Sequence, residues 1–187
     1  MTRVALAFLL LWPGLASAVF LPIDVDSCHN LAATETSCNV VTRATAAGFE
    51  DGARDCLASP TQGFACRFAW PTNDPASLTP TVWWGTPVNG ATSGSACFGV
   101  KVACCADNNC QYENIAFGGE KVQSGALSGS STTLIETVFT DPVSPATHAA
   151  GAVCWLWVER VSGNGSCGNT ISDANGSGVS IKRIDLE

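Results

Sequence analysis

The sequence predicts a mainly β, disulfide-rich fold, a β-sandwich or barrel with long loops. Three observations predict it. Ten cysteines occur in 187 residues. Short alternating or β-branched runs recur between clusters of Gly, Ser, Asn and Pro, the pattern of strands separated by turns. Long amphipathic helical periodicity is absent.

Taken in order, residues 1–18 read as a secretory signal peptide. Arg3 supplies the basic start, Val4–Trp12 is an unbroken apolar run, and Ala16-Ser17-Ala18 is a small-x-small cleavage site. The run is too short to cross ~30 Å of hydrocarbon, so no membrane insertion is expected after cleavage. The charged tail Ile181–Glu187 argues against a glycolipid anchor. The expectation is a mature chain starting at Val19 and secreted to the cell wall or matrix. It forms a single domain over 19–187, with 19–70 as a candidate N-terminal subdomain and Pro71–Pro80 as its boundary.

Within that domain a short helix is expected around Ala44–Leu57, where Asp51 and Asp55 sit four apart. Phe98, Val100 and Val102 alternate with Gly99, Lys101 and Ala103, which predicts a strand. Thr133–Thr140, Val153–Val161 and Val179–Leu186 are three further strand candidates. Pro71–Pro75, Pro87–Ser95, Ser124–Ser131, Asp141–Pro145 and Ser162–Asn169 read as loops.

Export places the cysteines in an oxidising compartment, where an even number implies bridges. Cys28, Cys38, Cys56, Cys66, Cys97, Cys104, Cys105, Cys110, Cys154 and Cys167 are therefore all disulfide candidates. Cys-x-x-Cys pairs are missing and His29 and His148 are the only histidines, so no metal site is expected. Asp107-Asn108-Asn109 reads as a polar turn rather than a calcium loop. Local pairs Cys28–Cys38, Cys56–Cys66 and Cys154–Cys167 are expected. Vicinal Cys104 and Cys105 point opposite ways on a strand and should serve different bridges. Cys97 and Cys104 on one extended strand lie roughly 23 Å apart, against the ~7 Å a disulfide allows, so they should not pair.

Sixteen acidic against nine basic residues, net charge −7, exclude the basic stripe of a nucleic-acid binder. An apolar fraction of 46% with 13% charged residues argues against disorder. Neither histidine lies in a nucleophile motif, and Glu113, Glu120, Glu136 and Glu159 are scattered along the chain. No catalytic residue and no cofactor is assigned. Among the tryptophans, Trp155 and Trp157 share one face of a strand whose other face is also apolar, so both read as core. Trp83 and Trp84 must split between faces, in a stretch where Pro80, Gly85 and Pro87 disfavour a regular central strand. One of that pair is the candidate exposed anchor for matrix polysaccharide or another extracellular protein. Asn164-Gly165-Ser166 and Asn175-Gly176-Ser177 make Asn164 and Asn175 glycosylation candidates.

Ala96-Cys97-Phe98-Gly99-Val100-Lys101-Val102-Ala103-Cys104-Cys105, followed by Glu113-Asn114-Ile115-Ala116-Phe117, resembles the cysteine core of pherophorin domains. Gly151-Ala152-Val153-Cys154-Trp155-Leu156-Trp157-Val158, with Cys167 after it, is similar to that family's second strand. The resemblance covers Ala96–Thr170. The family's Phe-Pro-x-Cys-x-Cys entry and its proline-rich rods are missing, and Cys110 follows the vicinal pair rather than preceding it. It implies a non-enzymatic extracellular-matrix or cell-wall glycoprotein of algae. The rival readings are a small secreted polysaccharide hydrolase, which needs two converging carboxylates, and a secreted effector or inhibitor.

Overall fold

The structure is a computed structural model that describes residues 20–30, 37–44, 50–58, 61–86, 93–105, 116–128, 134–161, 167–171 and 178–187. Residues 1–18, read above as a signal peptide, Asp107–Asn109, Cys110, Glu113 and both sequons lie outside these residues. Eleven strands are described: β1 (Leu21–Asp24), β2 (His29–Asn30), β3 (Asn39–Ala44), β4 (Glu50–Cys56), β5 (Gln62–Ala69), β6 (Pro80–Gly85), β7 (Ser93–Cys104), β8 (Lys121–Ser128), β9 (Ile135–Val138), β10 (Val153–Val161) and β11 (Val179–Leu186). A single 3-10 turn, Val25–Ser27, joins β1 to β2. No helix among the described residues is long and apolar enough to cross a membrane.

The strands form two antiparallel sheets. One has the order β3-β4-β11-β6-β9, with β1 also pairing β11; the other has the order β2-β5-β10-β7-β8. The inner faces share one apolar core of alternating residues. Phe98, Val100 and Val102 of β7 and Leu156 and Val158 of β10 meet Val82 and Trp84 of β6 and Ile181 and Ile184 of β11, all buried. The Trp84 and Phe98 rings lie 5.3 Å apart across the two sheets. Trp84 Nε1 donates to Thr137 Oγ1 of β9 at 2.8 Å, so the buried indole keeps its polar partner.

Two predicted strands, Val153–Val161 and Val179–Leu186, match β10 and β11 end to end. The helix expected around Ala44–Leu57 is instead β4, paired with β3 on one side and β11 on the other. Gly52 is a poor helix residue, and ladder pairing on both edges overrides the weak i,i+4 spacing of Asp51 and Asp55. Ser124–Ser131 is not a loop throughout, because β8 runs to Ser128. Small residues there serve packing: a Cβ on Gly125 would stand 3.0 Å from Trp84 Nε1. Pro80 and Gly85 do not prevent a regular strand either. Pro80 opens β6, where its missing N–H costs least, and β6 lies between β11 and β9.

All nine described cysteines are disulfide-bonded, but the local pairings are corrected. Eight of the nine form the bridges Cys28–Cys66, Cys38–Cys56, Cys97–Cys167 and Cys104–Cys154, and Cys105 is the ninth. Strand register explains each bridge. His29 pairs with Ala65, which sets Cys28 beside Cys66. Asn39 pairs with Asp55, which sets Cys38 beside Cys56. Cys104 and Cys154 are themselves register partners. Val161 pairs with Cys97, while Thr170 and Ile171 donate to Ser95 and bring Cys167 alongside. The equal spacings Cys28–Cys38 and Cys56–Cys66 therefore mark two arms tied at both ends. Vicinal Cys104 and Cys105 serve different bridges, and Cys97 and Cys104 do not pair, as the strand geometry requires.

Arg160 is fully buried on the inner face of β10. Its Nη1 donates to Cys56 O of the opposite sheet at 3.1 Å, and its Nη2 donates to Ile171 O at 2.8 Å and to Asn169 Oδ1 at 3.2 Å. A charged side chain thus fastens the two sheets beneath the Cys38–Cys56 bridge.

Candidate functional site

Alternation along β10 decides what its outer face carries. Cys154, Leu156, Val158 and Arg160 point inward, which leaves Val153, Trp155, Trp157, Glu159 and Val161 outward and half-buried. The core expectation for Trp155 and Trp157 is corrected on this point. Both faces of β10 read as apolar, and the core needed the face that carries Cys154, because its register partner Cys104 closes a bridge there.

Four of the six residues that flank Trp155, Trp157 and Glu159 are alanine or glycine; the other two are Arg67 and Lys101. Trp157 lies between Ala65 of β5 and Lys101 of β7, and Trp155 between Arg67 and Ala103. Glu159 lies between Gly63 and Gly99. Glycine in a strand interior marks a place where another group approaches closely. Here a Cβ on Gly99 would stand 2.6 Å from Glu120 Oε1 and 3.1 Å from Glu159 Cγ, and one on Gly63 would stand 2.9 Å from Glu159 Cβ. Gly99 lets the Glu120 carboxyl, which precedes β8, lie over β7 and reach Glu159.

Polar and aromatic groups converge at this point. Trp157 Nε1 donates to Glu159 Oε2 at 2.9 Å. Lys101 Nζ lies 4.5 Å from the Trp157 ring centroid and 5.6 Å from that of Phe117. The Phe117 and Trp157 rings meet edge to face at 5.8 Å. Val122, the partner of Gly99 on β8, is 40% exposed beside them. Glu120 is pushed up to about 7 by burial first, then by its hydrogen bond to Glu159 and that residue's charge, against the pull of Lys101. Glu120 therefore keeps its proton up to about pH 7 and directs it at the Glu159 carboxyl.

The outer face of the other sheet carries a different cluster. Trp83 is half-buried there, whereas Trp84 is fully buried. Trp83 Nε1 donates to Asp185 Oδ2 at 2.7 Å. Arg183 donates to the same carboxylate through Nε at 2.8 Å and Nη2 at 2.5 Å, and its guanidinium lies 5.4 Å from the Trp83 ring and 5.8 Å from that of Phe20. The hydrogen bonds to Asp185 hold Arg183 above its usual value. The polar edge of Trp83 and the Arg183 fork are thus committed to each other's neighbour. The His148 ring packs tilted against buried Trp70, centroids 4.8 Å apart, and its Nε2 lies 3.5 Å from Asp74 Oδ1, while His29 is exposed on β2. Among the described residues no group of three or more His, Cys, Asp or Glu side chains is placed to hold a metal ion.

Sequence reasoning missed Lys101, Phe117, Glu120 and Glu159 as neighbours, because they come from β7, β10 and the segment before β8. The one available signal was Gly99 and Gly63 within β-rich stretches, visible only once both are aligned on Glu159.

No family model matches the chain, and no curated protein matches it. Among solved structures it is similar to the carbohydrate-binding module CBM36 in complex with calcium and xylotriose, with a TM-score of 0.41 and 10% identity over 89% of this chain and 99% of that one. At that level the likeness assigns no function to this chain.

Proposed function

We propose that this chain is a secreted, non-enzymatic β-sandwich of the cell wall or matrix that binds polysaccharide through the outer face of β10. The carrying observation is the row Trp155, Trp157 and Glu159, half-exposed beside alanines and glycines, with Arg67, Lys101 and Glu120 flanking it. Sugar rings present apolar C–H faces and a rim of hydroxyls. Rigid indoles suit the former, while an ammonium and carboxyl groups suit the latter. The disulfides support an oxidising, extracellular setting. The resemblance of Ala96–Thr170 to pherophorin domains adds the matrix setting, and Asn164 and Asn175 would carry its glycans.

The hydrolase reading is less well supported. Glycosidase carboxyls stand ~5–5.5 Å or ~6.5–9.5 Å apart to admit substrate or water. Glu120 and Glu159 are in direct hydrogen-bond contact instead. The test is depletion of the purified chain from solution by insoluble cellulose, xylan, mannan and chitin. Retention on at least one of them is expected, and its reduction by Trp157→Ala. Equal recovery from every suspension and from a no-polymer control would overturn the proposal.

A further inference from the structure

The carboxyl pair is the most unusual feature of this face. Two acids of like charge are held together over a glycine floor, where an ordinary surface would separate them. Their surroundings are specific. From β7 comes Lys101, the only cation directly at the pair among the described residues; from β10 comes the Trp157 Nε1 donor. On this face β5 offers Gly63, Ala65 and, further along beside Trp155, the cationic Arg67, while β8 offers the uncharged Val122 and Ser124. His29 of β2 lies beyond β5, opposite Ala65.

Resting on the carbohydrate-binding reading, we infer that the Glu120–Glu159 pair, crowded over Gly99 beside Trp157, selects neutral sugars by accepting hydrogen bonds from two adjacent hydroxyls, one on each carboxyl group. The geometry supports this in three ways. The pair sits next to Trp157, so a ring stacked on the indole places its hydroxyl rim over the carboxyls. Each carboxylate retains acceptor capacity beyond the bonds it already makes. Hydrogen bonds from hydroxyl to an ionised acceptor are stronger than neutral ones, so the ligand favours the doubly ionised pair. A uronic or sulfated chain would bring a third negative charge to the pair, where Lys101 is the one cation in direct reach among the described residues.

The sign of the pH effect follows. The free pair keeps its proton up to about pH 7, and the bound pair does not. Acid therefore competes with sugar, and affinity rises with pH. The face is partly open to water, which moderates the effect.

The experiment is calorimetric titration of the purified chain with cellohexaose, xylohexaose and mannohexaose, and with polygalacturonate as the acidic comparison. Runs at pH 5.5 and pH 8 use two buffers of different ionisation enthalpy. For the neutral ligand that binds, affinity should be about tenfold weaker at pH 5.5, with proton release near pH 7 and weaker binding of polygalacturonate. Glu120→Gln keeps an N–H donor toward Glu159 but cannot ionise, so it should flatten the pH dependence and weaken binding at pH 8. Neutral binding that is the same at both pH values, without proton release, overturns the inference while leaving the carbohydrate reading intact. So does equal binding of polygalacturonate. If no hexasaccharide binds at either pH and Trp157→Ala changes no polysaccharide retention, the carbohydrate reading itself fails.

Discussion

Lys101 Nζ lies 4.5 Å from the Trp157 ring centroid, and the two residues are register partners across β7 and β10. The relationship orders an indole on the outside of a sheet. A cation over an aromatic face contributes ~0.5–1 kcal/mol at an exposed site, and the Glu159 carboxylate fixes the other end of the ring through Nε1. Trp157 is thereby rigid before any ligand arrives, so little side-chain entropy is lost on contact.

The two kinds of tryptophan should separate under mutation. Trp84→Ala removes a fully buried side chain that spans the sheets and should cost ~3–5 kcal/mol in denaturant unfolding. Trp157→Ala removes a half-exposed one and should cost ~1 kcal/mol through the lost ring contacts. Equal losses in the two variants would contradict the assignment of inner and outer faces.

The bridges should map as nested and long-range. Non-reducing peptide mapping should recover Cys28–Cys66, Cys38–Cys56, Cys97–Cys167 and Cys104–Cys154. Their sequence separations run from 18 to 70 residues, so each should contribute roughly 3–4.5 kcal/mol by restricting the unfolded chain. Full reduction should then abolish the near-ultraviolet signal at room temperature. A reduced chain that keeps it would show that the core alone suffices.

These bridges also show what the sequence carries and what it hides. Strand β10 was legible from residue types alone, since Val153–Val161 is rich in valine and tryptophan and is bounded by turn residues. Which of its faces turns inward was not, because Trp155 and Trp157 balance Leu156 and Val158 in apolarity, and each face also holds a charge, Glu159 on one and Arg160 on the other. Cysteine spacing was equally ambiguous: two ten-residue steps fit local loops as well as two cross-tied arms. Pairing of β2 with β5 and of β3 with β4 settles that, and such long-range register has no local signature. Gly52 and Gly125 weaken the local strand pattern, and β4 and β8 form through their partners in the sheet. Trp83 and Trp84 did split between faces by simple alternation, which is the part of that reading that needed no tertiary information.

Arg160 should be intolerant of an apolar substitute. Arg160→Met keeps the stem but leaves Cys56 O and Ile171 O without their donor. A loss of ~2–4 kcal/mol is expected from the stranded carbonyls. Unchanged stability by urea titration would mean that water satisfies those carbonyls and that Arg160 does not fasten the sheets.

Glu120 predicts a pH dependence of stability. Its folded value, about 7, lies above the ordinary 4.5. The folded chain thus binds this proton more tightly than the unfolded chain does. The contribution is fully favourable below about pH 4.5 and is lost as pH rises to about 7. Melting temperature should therefore decline from pH 5 to pH 8 more in the wild type than in Glu120→Gln. Parallel profiles for the two proteins would show that Glu120 does not keep this proton.

The central claim is that ligand binds the outer face of β10. Its most direct test is affinity electrophoresis in gels containing the soluble form of the retained polysaccharide, comparing wild type, the double variant Trp155→Ala/Trp157→Ala, and Trp83→Ala, each verified as folded by circular dichroism. The double variant should migrate as it does in a polymer-free gel, while Trp83→Ala should be retarded like wild type, because Trp83 is committed to Asp185. Retardation of the double variant equal to wild type, with release of Trp83→Ala, would place binding on the opposite sheet and contradict the account.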